Sequence, residues 1–163
     1  MRRKKNNFLV WFAVIGGLVL LLSYRTIMSY INGSGPSVRV PCINPTLPIP
    51  EQYHIHPVLK IIADGKDIPV PANIGIELAG CEHVLHTHDT SGTIHIEPNY
   101  YQEFTLGDFA SVWNQPISKD QVLDYKANAD HEIVMTVDGA PSDKFGDLVL
   151  KDKQQIVIEY RKK

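Results

Sequence analysis

The chain has 163 residues, of which 44% are hydrophobic and 21% charged, and its formal charge is −2 at pH 7. That composition leaves room for one domain and excludes a disordered or low-complexity chain. Five of the 16 basic residues, Arg2, Arg3, Lys4, Lys5 and Arg25, lie before residue 32, where there is no acid; the remainder holds 11 basic against 18 acidic residues, the wrong sign for a nucleic-acid binder, whose affinity comes largely from neutralising phosphates.

Residues 1–7 form a basic tail ahead of an apolar run from Phe8 to Leu22, which continues with polar interruptions to Ile31. About 20 helical residues at 1.5 Å rise cross a ~30 Å hydrocarbon layer, and the run reaches that length when counted through Tyr24 or Met28. Residues 8–31 are therefore expected to form a transmembrane signal-anchor helix in a lipid bilayer, with Trp11, Tyr24 and Tyr30 in the headgroup zone. The basic cluster precedes the span, so the positive-inside rule keeps the N-terminus in the cytoplasm. The expected location is the cell membrane, single-pass, with the rest of the chain extracytoplasmic. A cleaved signal peptide is the competing reading, opposed by the lack of a close small-x-small cleavage site.

Residues 32–51 are rich in Gly, Ser and Pro, with Pro36, Pro41, Pro45, Pro48 and Pro50 at close intervals. Too few backbone donors remain for a helix, and an extended linker is expected. The domain proper is expected over 52–163. Strand-like stretches run from His54 to Ala63, Cys81 to His88, Thr93 to Glu97, Ile133 to Val137 and Ile156 to Tyr160, punctuated by Asp64-Gly65, Ser91-Gly92 and Asp138-Gly139 as turns. Thr105 and Asp108 form a capping box, with Leu106, Phe109, Ala110 and Trp113 on one helical face. Ser118 and Gln121 predict a second, shorter helix carrying Val122 and Leu123. The expected fold class is α+β: an N-terminal transmembrane helix followed by a small mixed or antiparallel β-sheet domain with one or two short helices.

Six of the seven histidines, His54, His56, His83, His86, His88 and His95, fall within 42 consecutive positions. Asp89 to Gly92 reads as a four-residue loop, in which Asp bonds forward to the backbone and Gly takes a positive φ. In the resulting hairpin His88 faces Thr93, His86 faces His95 and Val84 faces Glu97. Strand side chains alternate, so His86, His88, His95 and Glu97 share one face while Leu85, Ile94 and Ile96 share the other. A slip of one residue would mix the two sets. Opposed Cβ atoms about 4.5–5.5 Å apart let imidazoles share an ion, and copper or zinc suits such donors outside the cytoplasm. His54 and His56 repeat the alternation and extend this site or form another. His83 projects from the opposite strand face and His131 stands alone; both are expected to be structural. The plainer alternative is a set of separate, hydrogen-bonded histidines or a pH-sensitive surface. Cys42 and Cys81 form a disulfide or, reduced, supply soft ligands.

Ile74-Gly75-Ile76, the HTHDTSGTIHIE segment from His86 to Glu97, and Phe104-Thr105-Leu106-Gly107-Asp108-Phe109 with Trp113 carry a resemblance. Over most of residues 54–160 the chain resembles a family of uncharacterised bacterial and archaeal exported domains, which share an H-T-H-D-x-S-G-x-I-H-I-E core, a preceding H-x-H and a later T-L-G-x-F-F-x-x-W-like helix. Ala110 stands where a second aromatic is common, a departure that bears on packing. The resemblance implies export and a shared site, and supplies no reaction.

The expected function is that of a membrane-anchored extracytoplasmic metal-binding protein, handling copper or zinc through the histidine-rich hairpin. One alternative is a metal-dependent enzyme, with Glu97 or Asp89 as base on a bound water; another is a non-metal envelope interaction module with the histidines as a polar network. Gly75, Gly80 and Gly92 form no phosphate-binding fingerprint, no catalytic residue is assigned, and the expected partners are the metal ion and the bilayer, with no protein partner identified.

Overall fold

The computed structural model describes residues 40–77 and 80–163. Alternating apolar residues build its main sheet. Strand β1 (Val58–Ala63) buries Leu59, Ile61 and Ala63, β7 (His131–Val137) buries Ile133 and Met135, and β9 (Gln155–Lys162) buries Ile156 and Ile158. With β2 (Lys66–Ile68) and β8 (Ala140–Ser142) they form a five-stranded sheet in the order β2-β1-β9-β7-β8. Asp64-Gly65 and Asp138-Gly139 close the two edge hairpins with positive φ at both residues, the geometry that matches the twist of two-residue loops. The β1–β9 pair is parallel and the others antiparallel.

Helix α1 (Leu106–Trp113) starts at the expected box: Thr105 Oγ1 accepts from the Asp108 amide at 3.2 Å, and the Asp108 carboxylate accepts from the Thr105 amide at 2.8 Å. Its Leu106, Phe109 and Ala110 face joins one apolar cluster with the sheet residues and with Leu85, Ile94 and Ile96. Asn114, at φ 55°, ends the helix in the left-handed conformation, which its short polar side chain tolerates.

A second, smaller layer lies beside the main sheet. Strands β3 (Leu85–His86) and β4 (His95–Ile96) pair with Leu85 opposite Ile96 and His86 opposite His95, the register that the alternation predicts. On the far side of β4 the chain leading into β1 runs antiparallel: Ile55 and Ile96 exchange backbone bonds at 3.1 and 3.2 Å, and Ile94 N–H donates to the Pro57 carbonyl at 2.9 Å. Beyond β3, Cys42 bridges His83, and Val84 N–H donates to the Pro41 carbonyl at 2.9 Å. Gly92, at φ +83°, lets the 91–93 turn sit on β1, where a Cβ would collide with the Leu59 carbonyl.

Several expectations are corrected. The expected fold class is α+β, a transmembrane helix followed by a small mixed or antiparallel β-sheet domain with one or two short helices; the described residues instead form mostly small sheets with one eight-residue α-helix. Among the described residues no helix is long and apolar enough to cross a membrane. The expected tail at 1–7 and span at 8–31 lie outside the described residues, as does the linker up to residue 39. From Val40 onward the supposed linker belongs to the domain, since Val40 is buried in the core and Pro41 and Cys42 pair with the 82–84 stretch. In place of a second helix, β5 (Gln121–Val122) and β6 (Tyr125–Lys126) form a small hairpin. The Ser118 hydroxyl accepts from the amides of Asp120 and Gln121, but Leu123 at φ 51° turns the chain back before a helical turn can propagate.

Candidate metal centre

The small layer works as a grid. The central lane carries His95 and Glu97; the pairings put His56 and His54 opposite them on one side, and His86 opposite His95 on the other, with His88 one alternation further. The opposite face presents Ile55, Ile94, Ile96 and Leu85 towards the apolar cluster. Amphipathic strands thus place five imidazoles and one carboxylate on a single surface.

Glu97 lies at the centre, with only 14% of its side chain exposed. Its Oε1 is 2.8 Å from His54 Nε2, 3.2 Å from His95 Nδ1 and 4.0 Å from His86 Nε2. The rings crowd together: His88 and His95 have centroids 4.5 Å apart, His56 and His95 4.7 Å, His86 and His88 4.7 Å, and His86 stacks on His95 at 5.3 Å. Two four-residue groups each bring their ligating atoms within 4.8 Å of one another: His86, His88, His95 and Glu97; and His54, His56, His95 and Glu97.

His86 is fully buried. Its Nδ1 lies 2.8 Å from the His83 carbonyl, which can only accept, so Nδ1 carries the proton and, in the neutral ring, Nε2 presents a lone pair. That lone pair looks towards His88 Nε2 at 3.2 Å and Glu82 Oε1 at 3.3 Å. Burial holds His86 below the ordinary imidazole range, against the raising effects of the His83 carbonyl and of Glu97 and Glu82. His95 is likewise lowered, first by burial, although its bond to Glu97 opposes this. With its proton on Nδ1, His86 sets the Nε2 lone pair 3.3 Å from a Glu82 oxygen, two acceptors that are favourably placed only with a proton or a cation between them.

Surrounding residues hold the lanes in place. The buried Thr87 hydroxyl donates to the Pro71 carbonyl at 2.8 Å and accepts from the Ile74 amide at 3.0 Å, while the Thr87 amide donates to the Ile74 carbonyl at 3.0 Å. Gly75, at φ +75°, packs so closely that a Cβ there would strike the Leu85 carbonyl. On the other flank Asp152 Oδ1 accepts from the His56 amide at 3.0 Å; this bond holds its carboxyl below the usual range. Asp89 caps its loop by accepting from the Ser91 amide at 2.8 Å, and bonding to Ser91 lowers its pKa too.

All six expected ligands therefore lie on one face. His83 does not join them: its Nδ1 donates to the Val40 carbonyl at 2.8 Å and its Nε2 lies 3.2 Å from Glu77. His131 stacks flat on Tyr160 at 4.7 Å, away from the others. Cys42 and Cys81 are joined in a disulfide with Cα atoms 5.4 Å apart, so the soft-ligand alternative does not hold for this oxidised pair. Glu82, not among the expected ligands, also faces the site, with Oε1 3.3 Å from His86 Nε2. Its signal was the same alternation, since residues 82, 84, 86 and 88 share a strand face, with the apolar Val84 interrupting the pattern.

No protein-family model, curated protein or solved structure matches the chain.

Proposed function

We propose that the protein is an extracytoplasmic metal-binding protein that holds copper or zinc on the histidine face of its small layer. One observation carries the reading: the buried His86 ring is anchored through Nδ1 to the His83 carbonyl, and its Nε2 is aimed at His88, Glu82 and Glu97. A ligating histidine commonly fixes its tautomer by donating its other N–H to a carbonyl or carboxylate. Imidazole nitrogens with a carboxylate suit zinc or copper. The Cys42–Cys81 disulfide supports an oxidising compartment. A metal-dependent enzyme using the same site is the second reading, favoured by the exposure of His88, which leaves room for a water on the ion.

The test is elemental analysis of the full chain, purified without a polyhistidine tag, reconstituted with copper or zinc and dialysed. Retained metal is expected in the wild type and its loss in His86→Ala. Failure to retain either ion, or undiminished retention in both His86→Ala and His95→Ala, would overturn the proposal.

A further inference from the structure

The histidine face offers more donors than one ion uses. Zinc with nitrogen and oxygen ligands takes about four, whereas five imidazoles and Glu97 converge here, with Glu82 beside His86. The donors fall into two groups rather than one: His54 and His56 belong to one set and His86 and His88 to the other, and the sets share only His95 and Glu97. This division follows from the three-lane grid, whose shared pair stands on the central lane with one H-x-H on either side.

Resting on the metal-binding reading above, we infer that the face is a two-ion site bridged by Glu97. A carboxylate has two oxygens and can serve one ion through each, and paired ions in two-metal sites stand about 3.5–4 Å apart. His86, His88 and His95 hold the first ion. His95 belongs on this flank because its ring is 5.3 and 4.5 Å from those of His86 and His88, against 6.4 and 4.7 Å from His54 and His56. His54 and His56 hold the second ion, with the other Glu97 oxygen as its third protein donor. That flank is open to solvent, with His54 42% exposed, so the fourth position of the second ion takes water or a small anion.

Charge supports the pairing. Among the described residues Glu82 and Glu97 have no lysine or arginine partner; their close cationic contacts are all histidines. Asp89 stands near His88 and His95 on one side of the grid, and Asp152 holds the His56 amide on the other. Binding displaces the protons now shared between the rings and Glu97, and these carboxylates compensate the charge that enters.

The experiment is a copper(II) titration of the full, tag-free chain, read by bound-metal stoichiometry and by electron paramagnetic resonance. Two equivalents are expected, the second weakening the signal of the first by spin coupling. His54→Ala/His56→Ala should bind one equivalent with an uncoupled signal, and its far-ultraviolet circular dichroism should match the wild type. Glu97→Gln should lose the coupling. A wild type that binds one equivalent, unchanged in the double variant, would overturn the two-ion site and leave the metal-binding reading intact. Absence of any bound metal would overturn both. A second equivalent that survives in the double variant, or coupling that survives in Glu97→Gln, would overturn the assignment of the second ion or of the bridge.

Discussion

His86 combines properties that oppose one another in an ordinary core. Its ring is fully buried, yet two carboxylates face it and one ring nitrogen is committed to a backbone carbonyl. Burial resists protonation more strongly than the acids promote it, so its folded pKa is depressed. Above about pH 6.5 the ring is neutral in both folded and unfolded chains and costs nothing; as pH falls below that value, the unfolded chain takes a proton that the folded chain refuses, and stability is lost down to the depressed folded value. Thermal melting of the metal-free protein should therefore move to lower temperature between pH 7.5 and pH 5.5, and the shift should be smaller in His86→Gln. Equal shifts in the two proteins would show that burial of His86 does not set the response.

The lanes depend on short strands that could not hold themselves. Strands β3 and β4 have two residues each in their regular ladder, well below the length at which a hairpin is stable alone. Thr87 supplies part of what is missing: it projects away from the metal face and ties the strand bearing His86 and His88 to the 71–74 loop through its hydroxyl and amide. Thr87→Val keeps the shape and removes the hydroxyl, leaving the Ile74 amide and the Pro71 carbonyl without that partner. The expected cost is about 1–3 kcal/mol by urea unfolding, as for other buried groups left unsatisfied. Metal affinity should fall with it, because the rings then lose their fixed spacing. Unchanged stability would mean that water replaces the hydroxyl.

At the scale of the whole molecule, the layer is held by segments that precede and follow it in the sequence. The entry chain at Val40–Ile43 lies along the 82–84 stretch, Gln154 accepts the Val58 amide through its carbonyl, and Asp152 holds the His56 amide. The disulfide fixes the first of these contacts across a separation of 39 residues. Closing a loop of that size in the unfolded chain typically stabilises a protein by about 2–4 kcal/mol. Cys42→Ser/Cys81→Ser should lower the unfolding free energy by that amount in denaturant titration. The loss should be matched by reduction of the wild type with dithiothreitol. A much smaller effect would mean that the bridges at Val40–Ile43 suffice without the crosslink.

What the sequence determined by itself was local. Alternation over His86–His88 and Ile94–Glu97 set the hairpin register, because a one-residue slip would turn the histidines into the core. Two Asp-Gly pairs specified tight turns, and Thr105 with Asp108 specified the helix start, since each rests on contacts within a few residues. Ser118 misled for the same reason: its hydroxyl bonds to nearby amides serve a turn as well as a helix. Only the tertiary structure decided the rest. It paired β1 with β9, set the 54–58 segment beside β4 and drew Val40 into the core. These contacts join residues far apart along the chain, and their stability comes from apolar area buried between elements, a quantity that no short window of sequence contains.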